Sequence, residues 1–237
     1  DLLPTREVLR FGTAHAQARD AVHQALDVAT LQADLADAGF TSLTVHSQAA
    51  DRGMYLRRPD MGRRLAPGSL ALLGEQGRRL WSPHPPLAVV LADGLSSLAM
   101  AHHGLPLLQA LLPYFPDLPG LPVIIASQAR VALGDEIGHA LGAALVVVMI
   151  GERPGLSSPD SLGLYLTARP RPGLTDAERN CISNVRPEGL PYADAARKLA
   201  FLMAGAHRLG RTGVDLKDDS DAAPALTDSP YPDLASP

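Results

Sequence analysis

The chain has 237 residues, of which 46% are hydrophobic and 19% charged, and its formal net charge is −4. This length supports one hydrophobic core, or one core with a small appendage. The slightly negative charge argues against nucleic-acid binding, and no apolar run reaches the roughly 18–20 residues that span a bilayer. A single cysteine rules out an intramolecular disulfide. We therefore expect a cytoplasmic protein that binds neither nucleic acid nor membrane.

The first 84 residues are predicted to form a helical and irregular appendage. Apolar residues at helical spacing predict helices over 5–23 and 28–38, the second ending at a glycine that suits a helix C-terminus. Residues 40–46 predict a short strand. The stretch 49–65 is rich in arginine but interrupted by glycine and proline, and its composition alone indicates an irregular, solvated surface.

The next part of the chain alternates between strand and helix patterns. Continuous apolar runs at 87–92, 121–127 and 144–151 are typical of strands that are buried on both faces of a parallel sheet. Helical patterns at 105–114 and 130–141 separate them. This βαβαβ order predicts an α/β fold with a Rossmann-like, doubly wound and mostly parallel sheet.

Shorter signals complete this predicted domain, which extends over residues 85–210. Residues 164–167 and 182–185 are candidates for further strands, and residues 192–209 for a closing helix. The remaining residues, 211–237, are acidic and rich in serine and proline without periodicity, so we predict a disordered tail.

Candidate ligand contacts follow from the position of the strand ends. In an open α/β sheet, ligands bind beyond the carboxyl ends of the strands, and a long Gly/Pro/Ser loop leaves the strand 144–151. The Asp93-Gly94 turn that follows strand 87–92 fits an anion-binding turn and an ordinary βα turn about equally well. Strand-end position alone indicates Asp93, Gly94, Arg130, Pro154, Ser157 and Ser158 as secondary candidates.

No recognisable catalytic or metal-binding motif accompanies these positions. The eight histidines form neither HExxH nor a Cys/His cluster, and a GxSxG nucleophile motif is missing. We therefore predict no catalytic residue and no metal ligand in this chain.

Several long motifs occur in a fixed order and carry a resemblance to a known family. The chain resembles the small (light) subunit of ethanolamine ammonia-lyase over roughly residues 5–210. The matching stretches are RFGTAHAQARDAV (10–22), AADRGMYLRRPDMGRRL (49–65), VVLADGLSS (89–97), GDEIG (134–138), VVVMIGERPGLSSPDSLGLYLT (146–167) and TDAERNCISNVRP (175–187).

The resemblance implies a function that the residues alone do not. It implies that this chain holds the corrin of adenosylcobalamin against a barrel-shaped large subunit, where ethanolamine is converted by a radical reaction to acetaldehyde and ammonia. Residues 1–84 would contact the large subunit, and six chains of each kind would form a dodecamer. The sequence does not say whether the enzyme is packaged in a bacterial microcompartment.

The resemblance also implies three cofactor contacts, namely Val131, Glu152 and Cys181. Each also has an ordinary structural interpretation, as a residue of a helix core, a solvated loop charge and a small buried filler. The Asp-x-His-x-x-Gly motif that supplies a histidine ligand to cobalt in many cobalamin proteins does not occur, so we expect the cofactor to keep its own dimethylbenzimidazole.

Two other interpretations of the chain are weighed against this one. A Rossmann-like module could bind another nucleotide cofactor by itself, although GxGxxG is missing. The chain could also be an assembly or scaffold subunit whose arginine-rich segment serves docking alone.

Overall fold

The computed structural model describes residues 4–81, 84–155 and 160–221, which contain six strands and eight α-helices. The strands are β1 (Ser42–His46), β2 (Leu87–Ala92), β3 (Val123–Ser127), β4 (Leu145–Gly151), β5 (Leu162–Ala168) and β6 (Arg179–Val185). The helices are α1 (Thr5–His23), α2 (Val28–Asp37), α3 (Arg52–Arg57), α4 (Pro67–Leu72), α5 (Arg78–Leu80), α6 (Ser97–Ala110), α7 (Leu133–Leu141) and α8 (Tyr192–Leu209). A π-helical turn, Leu73–Gly77, joins α4 to α5.

All six strands belong to one mixed sheet in the order β1-β3-β2-β4-β5-β6. The first four strands in this order are parallel, whereas β5 and β6 are antiparallel to their neighbours. The α/β class is confirmed, but a Rossmann-like doubly wound sheet is not. Only residues 152–161 connect β4 to β5, which is fewer than a parallel crossover usually needs, so the chain returns antiparallel.

Side chains on the two faces of the sheet form separate apolar clusters. On the face that we call the α6 face, α2, α6 and α8 pack against alternate residues of the strands, such as Val89, Val147 and Leu164. On the opposite α7 face, α7 and the segment around Leu73 and Trp81 pack against the other set of alternate residues. All residues of β2 and β4 are buried, as expected for strands that are covered on both faces.

The glycines of α7 allow the helix to pack closely against β4 and against Pro170. A Cβ atom at Gly134 would lie 2.2 Å from Cγ2 of Val148, and one at Gly138 would lie 2.5 Å from Cγ of Pro170. Coverage of the α7 face weakens beyond β4, since Tyr165 on β5 is only half-buried and its register partner Cys181 on β6 is exposed. The α7 face is therefore open at the antiparallel edge of the sheet.

The N-terminal segment and the sheet are more closely integrated than the sequence suggested. Strand β1 pairs with β3 along its whole length, so part of the predicted appendage completes the core sheet. A domain boundary at residue 84 stays a prediction.

The segment that follows α8 is also tied to the fold at its beginning. Thr212 Oγ1 donates a hydrogen bond of 2.6 Å to the Glu178 carbonyl, and Lys198 forms an ion pair of 2.8 Å with Asp221. Residues 211–221 therefore make specific contacts where the sequence predicts disorder, and residues 222–237 lie outside the described part of the chain. Within the described ranges, none of the helices has the length and apolar character required to cross a membrane.

Candidate functional site

A cleft of about 490 Å³ opens on the α7 face, where α7 meets β5, the start of β6 and the loop between them. Its walls combine apolar and charged side chains, among them Arg63, Arg130, Val131, Asp135, Tyr165 and Arg179. The cleft continues onto the open part of the sheet because Tyr165 belongs to both. This junction is the candidate site.

Val131 lies in the turn that precedes α7 and forms one wall of the cleft. It is half-buried and packs against the apolar cluster of the α7 face. Its carbonyl accepts a hydrogen bond of 3.0 Å from the amide of Gly134, which fixes the turn. The side chain therefore presents an apolar surface at the rim of α7.

Tyr165 connects the cleft to the exposed strand β6. It is in register with Cys181 on β6 and with Val148 on β4. Desolvation raises the pKa of the Tyr165 phenol, and the neighbouring thiol of Cys181 adds to this shift. Desolvation by its neighbours also raises the pKa of the Cys181 thiol, against the effect of the hydrogen bond with Tyr165. Both groups are neutral at pH 7, and the thiol is a small, polarisable surface and not an activated nucleophile.

Glu152 is the first residue after β4, and its carboxylate lies over β5. Its Oε2 atom accepts hydrogen bonds from Ser161 Oγ at 2.6 Å and from the Asn184 amide at 3.1 Å. A Cβ atom at Gly163 would lie 3.1 Å from both Glu152 Oε1 and Cε2 of Tyr165. Glu152 is therefore held beside Tyr165 by specific donors, which differs from a freely solvated loop charge.

The three residues that the sequence singles out thus surround one tyrosine. Val131 shares the cleft with Tyr165, Cys181 is its register partner, and Glu152 lies beside its ring. Tyr165 itself was not predicted as a site residue from the sequence. The available signal was an aromatic side chain at an alternate position of a short apolar strand, in a chain with only 4% aromatic residues.

The base of the cleft contains an ion pair between α7 and β6. Asp135 and Arg179 are hydrogen-bonded, and both side chains are almost completely buried. Arg179 also donates to Asp176 Oδ1 at 3.2 Å and to the Leu174 carbonyl at 3.3 Å. Desolvation raises the pKa of Asp135 to about 6, although Arg179 opposes this shift.

The Asp93-Gly94 turn makes its polar contacts with other groups of the protein. The buried carboxylate of Asp93 accepts hydrogen bonds from the amides of Gln128 at 2.8 Å and Ala129 at 2.9 Å. Desolvation raises the pKa of Asp93, and Arg52 lies 3.5 Å away. In the turn itself, the amide of Leu95 donates to the Gly151 carbonyl at 2.9 Å, and at the start of α6 the amide of Ala99 donates to Ser96 Oγ at 3.2 Å. These donors already have partners within the protein, so this position is an ordinary structural turn.

The arginine-rich stretch 49–65 packs against these strand ends. Arg52 donates to the carbonyls of Gly94 at 2.8 Å and Val22 at 2.6 Å. The guanidinium groups of Arg52 and Arg130 lie 4.8 Å and 4.3 Å from the ring centre of Tyr55. Composition indicated a solvated surface here, and the structure instead assigns an internal partner to Arg52.

The other secondary candidates contribute less to the site. Arg130 lines the cleft, and its buried Nε atom has no hydrogen-bond partner within the described ranges. Pro154 is half-buried in the loop after β4. Ser157 and Ser158 lie outside the described residues.

Comparison with known proteins identifies the family of the chain. The family model described as ethanolamine ammonia-lyase light chain (EutC) matches residues 1–217. A protein from Azotobacter vinelandii named ethanolamine ammonia-lyase small subunit is 53% identical over 93% of this chain and 82% of its own length. Proteins of the same name from Ralstonia nicotianae and Xanthomonas campestris are 53% and 52% identical, over 92% and 96% of this chain and 82% and 84% of their own lengths. The chain therefore belongs to the ethanolamine ammonia-lyase light-chain family.

Proposed function

We propose that this chain binds adenosylcobalamin on the open part of its α7 face and holds it against the large subunit of an ethanolamine ammonia-lyase. The enzyme would convert ethanolamine to acetaldehyde and ammonia, with the substrate bound mainly by the large subunit. The relatives are named small subunits of this lyase, a name that implies a larger partner. The observation that supports the binding site most strongly is the convergence of Val131, Glu152 and Cys181 around Tyr165.

The residues present fit a broad, flat ligand with amide groups at its rim. The antiparallel edge of the sheet offers the small, exposed side chain of Cys181 beside the half-buried Tyr165. Arg130 Nε is a buried donor that finds no acceptor in the part of the chain that the structure describes. A buried donor without a partner is costly, so an acceptor group of the ligand would stabilise this arrangement.

Each of the proposed contacts has a separate role in binding. Glu152 would accept a hydrogen bond from an amide of the ligand while Ser161 and Asn184 keep its carboxylate oriented. Val131 would provide apolar contact at the rim, and Cys181 a small surface that permits close approach. When bound, the cofactor supplies the radical chemistry of the reaction. The proposed role of the chain is to position the cofactor.

We further propose that the cofactor keeps its own nucleotide base on cobalt. No histidine is among the described residues that line the cleft, and the sequence motif that would supply one does not occur. An electron paramagnetic resonance spectrum of bound cob(II)alamin in ¹⁵N-labelled protein would test this. We expect nitrogen coupling from the unlabelled base, and coupling from a labelled protein nitrogen would contradict it.

Residues 1–84 are proposed to contact the large subunit in a dodecamer of six chains of each kind. Helix α1 exposes Val8, Leu9 and Phe11, with 53%, 66% and 60% of their surfaces accessible. Apolar side chains in such a cluster are typical of an interaction surface. In the stretch 49–65, Arg57 and Arg63 are exposed and can reach a partner.

A nucleotide-binding module of another kind is disfavoured by the Asp93-Gly94 turn. The amides of Gln128 and Ala129 already bind the Asp93 carboxylate. A phosphate at this position would have to displace a buried and hydrogen-bonded anion.

Co-expression with a large subunit and an acetaldehyde assay with and without adenosylcobalamin would test the proposal. We expect activity only when both chains and the cofactor are present. A stable but inactive complex with cofactor present would contradict the binding site. Failure to form any complex would contradict the proposed partner.

A further inference from the structure

Two adjacent histidines of α6 and an aspartate before β5 form a cluster on the α6 side of the fold. Nε2 of His103 lies 3.4 Å from Oδ2 of Asp160, and Nδ1 of His102 lies 3.5 Å from the same oxygen. All three potential ligand atoms lie within 4.8 Å of one another. No short sequence motif predicts this cluster because Asp160 is more than fifty residues from the histidines.

The hydrogen bond between His103 and Tyr192 allows a tautomer whose Nε2 lone pair points into the cluster. Its side chain is only 8% exposed, and its Nδ1 atom lies 2.6 Å from the hydroxyl of Tyr192 at the start of α8. With Nδ1 as the donor of this hydrogen bond, Nε2 carries the lone pair. Nε2 is buried and has no hydrogen-bond partner among the residues that the structure describes.

We propose that His102, His103 and Asp160 form a binding site for a divalent transition-metal ion of the zinc class. Two imidazole nitrogens and a carboxylate oxygen are ligands that Zn²⁺ prefers, at bond lengths near 2.0–2.2 Å. A tetrahedral ion with such bonds separates its ligand atoms by about 3.3–3.6 Å. The distances of 3.4 Å and 3.5 Å from the carboxylate oxygen to the two nitrogens fall within this range.

The surroundings complete the site in the way that zinc sites require. The hydrogen bond from His103 to Tyr192 fixes the ring orientation and the tautomer, as the outer partners of metal-binding histidines do. The side chain of His102 is 53% exposed, so a fourth position is open to water. The cluster lies outside the proposed cofactor site, since His103 packs with α8 and the cofactor cleft lies beside α7.

A bound ion would tie three elements together near the loop that leaves β4. It would join α6 to Asp160, and through Tyr192 it would be supported by α8. The next residue after Asp160 is Ser161, which donates to Glu152 Oε2 at 2.6 Å. The ion would therefore restrain the donor that orients Glu152, a consequence that rests on the proposed function.

Zinc titration of the full chain in complex with its large subunit, without cofactor and after chelator treatment, tests the site. Isothermal titration calorimetry and elemental analysis would count Zn²⁺ per small subunit. We expect one ion in the wild type that is lost in His102→Ala and in Asp160→Asn. Tyr192→Phe should keep the stoichiometry but weaken binding by about 10- to 100-fold.

His139→Ala is the matched control, because His139 is an exposed histidine on α7. It should bind as much Zn²⁺ as the wild type. Equal Zn²⁺ binding by the wild type, His102→Ala and Asp160→Asn would overturn the proposal and leave the cluster as an ordinary His–Asp ion pair. Zn²⁺ should raise the melting temperature of the wild type and of His139→Ala, but not that of His102→Ala or Asp160→Asn. Cobalamin affinity, measured separately, distinguishes failure of the metal site from failure of the cofactor site.

Discussion

The two halves of the sheet differ in how completely they are covered. In the parallel half, β2 and β4 are buried at all positions because helices pack on both faces. In the antiparallel half, α8 covers β5 and β6 on the α6 face, while Tyr165 and Cys181 remain accessible on the α7 face. One sheet therefore combines a stabilising core with a rigid, uncovered surface, and side chains on that surface are held in place by the core beneath them.

The largest effect is expected from a methyl group at the end of β4. A Cβ atom at Gly151 would lie 2.0 Å from the Ser96 carbonyl oxygen and 2.7 Å from that of Asp93, and these backbone atoms cannot move independently. We expect Gly151→Ala to lower the free energy of unfolding by more than about 4 kcal/mol. Urea denaturation of the full chain would measure this.

Gly163→Ala on the open half is the matched comparison. Its Cβ atom would meet only the ends of the Glu152 and Tyr165 side chains, at 3.1 Å. These can shift, so we expect a loss below about 1 kcal/mol. If the two alanine variants were equally unstable, the division of the sheet into a packed half and an adaptable half would be wrong.

The next effect concerns the ion pair that joins the two halves at the base of the cleft. Arg179→Met would leave the buried Asp135 carboxylate without its partner, which typically costs about 3–5 kcal/mol. The double variant Asp135→Leu/Arg179→Met removes both charges. It should be more stable than Arg179→Met alone in denaturation experiments. A double variant that is less stable than the single variant would show that the unpaired Asp135 carboxylate is not the source of the loss.

Asp135 should also make stability depend on pH in a predictable direction. Desolvation raises its pKa from 3.8 to about 6 in the folded chain, so the folded state binds the proton more tightly than the unfolded state. The contribution of this group to stability is present near pH 4 and is lost as the pH rises through 6. The loss is on the order of 2 kcal/mol.

Asp135→Asn has no such titration and serves as the reference. The difference in free energy of unfolding, wild type minus Asp135→Asn, should fall between pH 4 and pH 7 and then stay constant. A difference that does not change over this range would contradict the raised pKa.

The parallel half was largely predictable from the sequence, and the antiparallel half was not. Continuous apolar runs located β2 and β4 to within a residue because burial on both faces removes alternation. The direction of β5 and β6 depends on which strands they pair with. A short apolar segment such as residues 164–167 does not determine its pairing partners. The partners of Arg52 and the meeting of His102 with Asp160 likewise depend on tertiary contacts. The family resemblance predicted Val131, Glu152 and Cys181 as site residues. The periodicity of the sequence did not predict Tyr165.

The smallest effect tests the binding role of the open half directly. Glu152→Gln keeps the size of the side chain and its capacity to accept hydrogen bonds, but it removes the charge that strengthens them. We expect about tenfold weaker cofactor binding, equivalent to about 1.4 kcal/mol, in the cofactor dependence of activity of the reconstituted complex. Glu75→Gln is the control because Glu75 is exposed in the π-helical turn at a distance in sequence from the cleft. If the two variants required the same cofactor concentration as the wild type, Glu152 would be a purely structural residue that fixes the loop between β4 and β5 through Ser161 and Asn184.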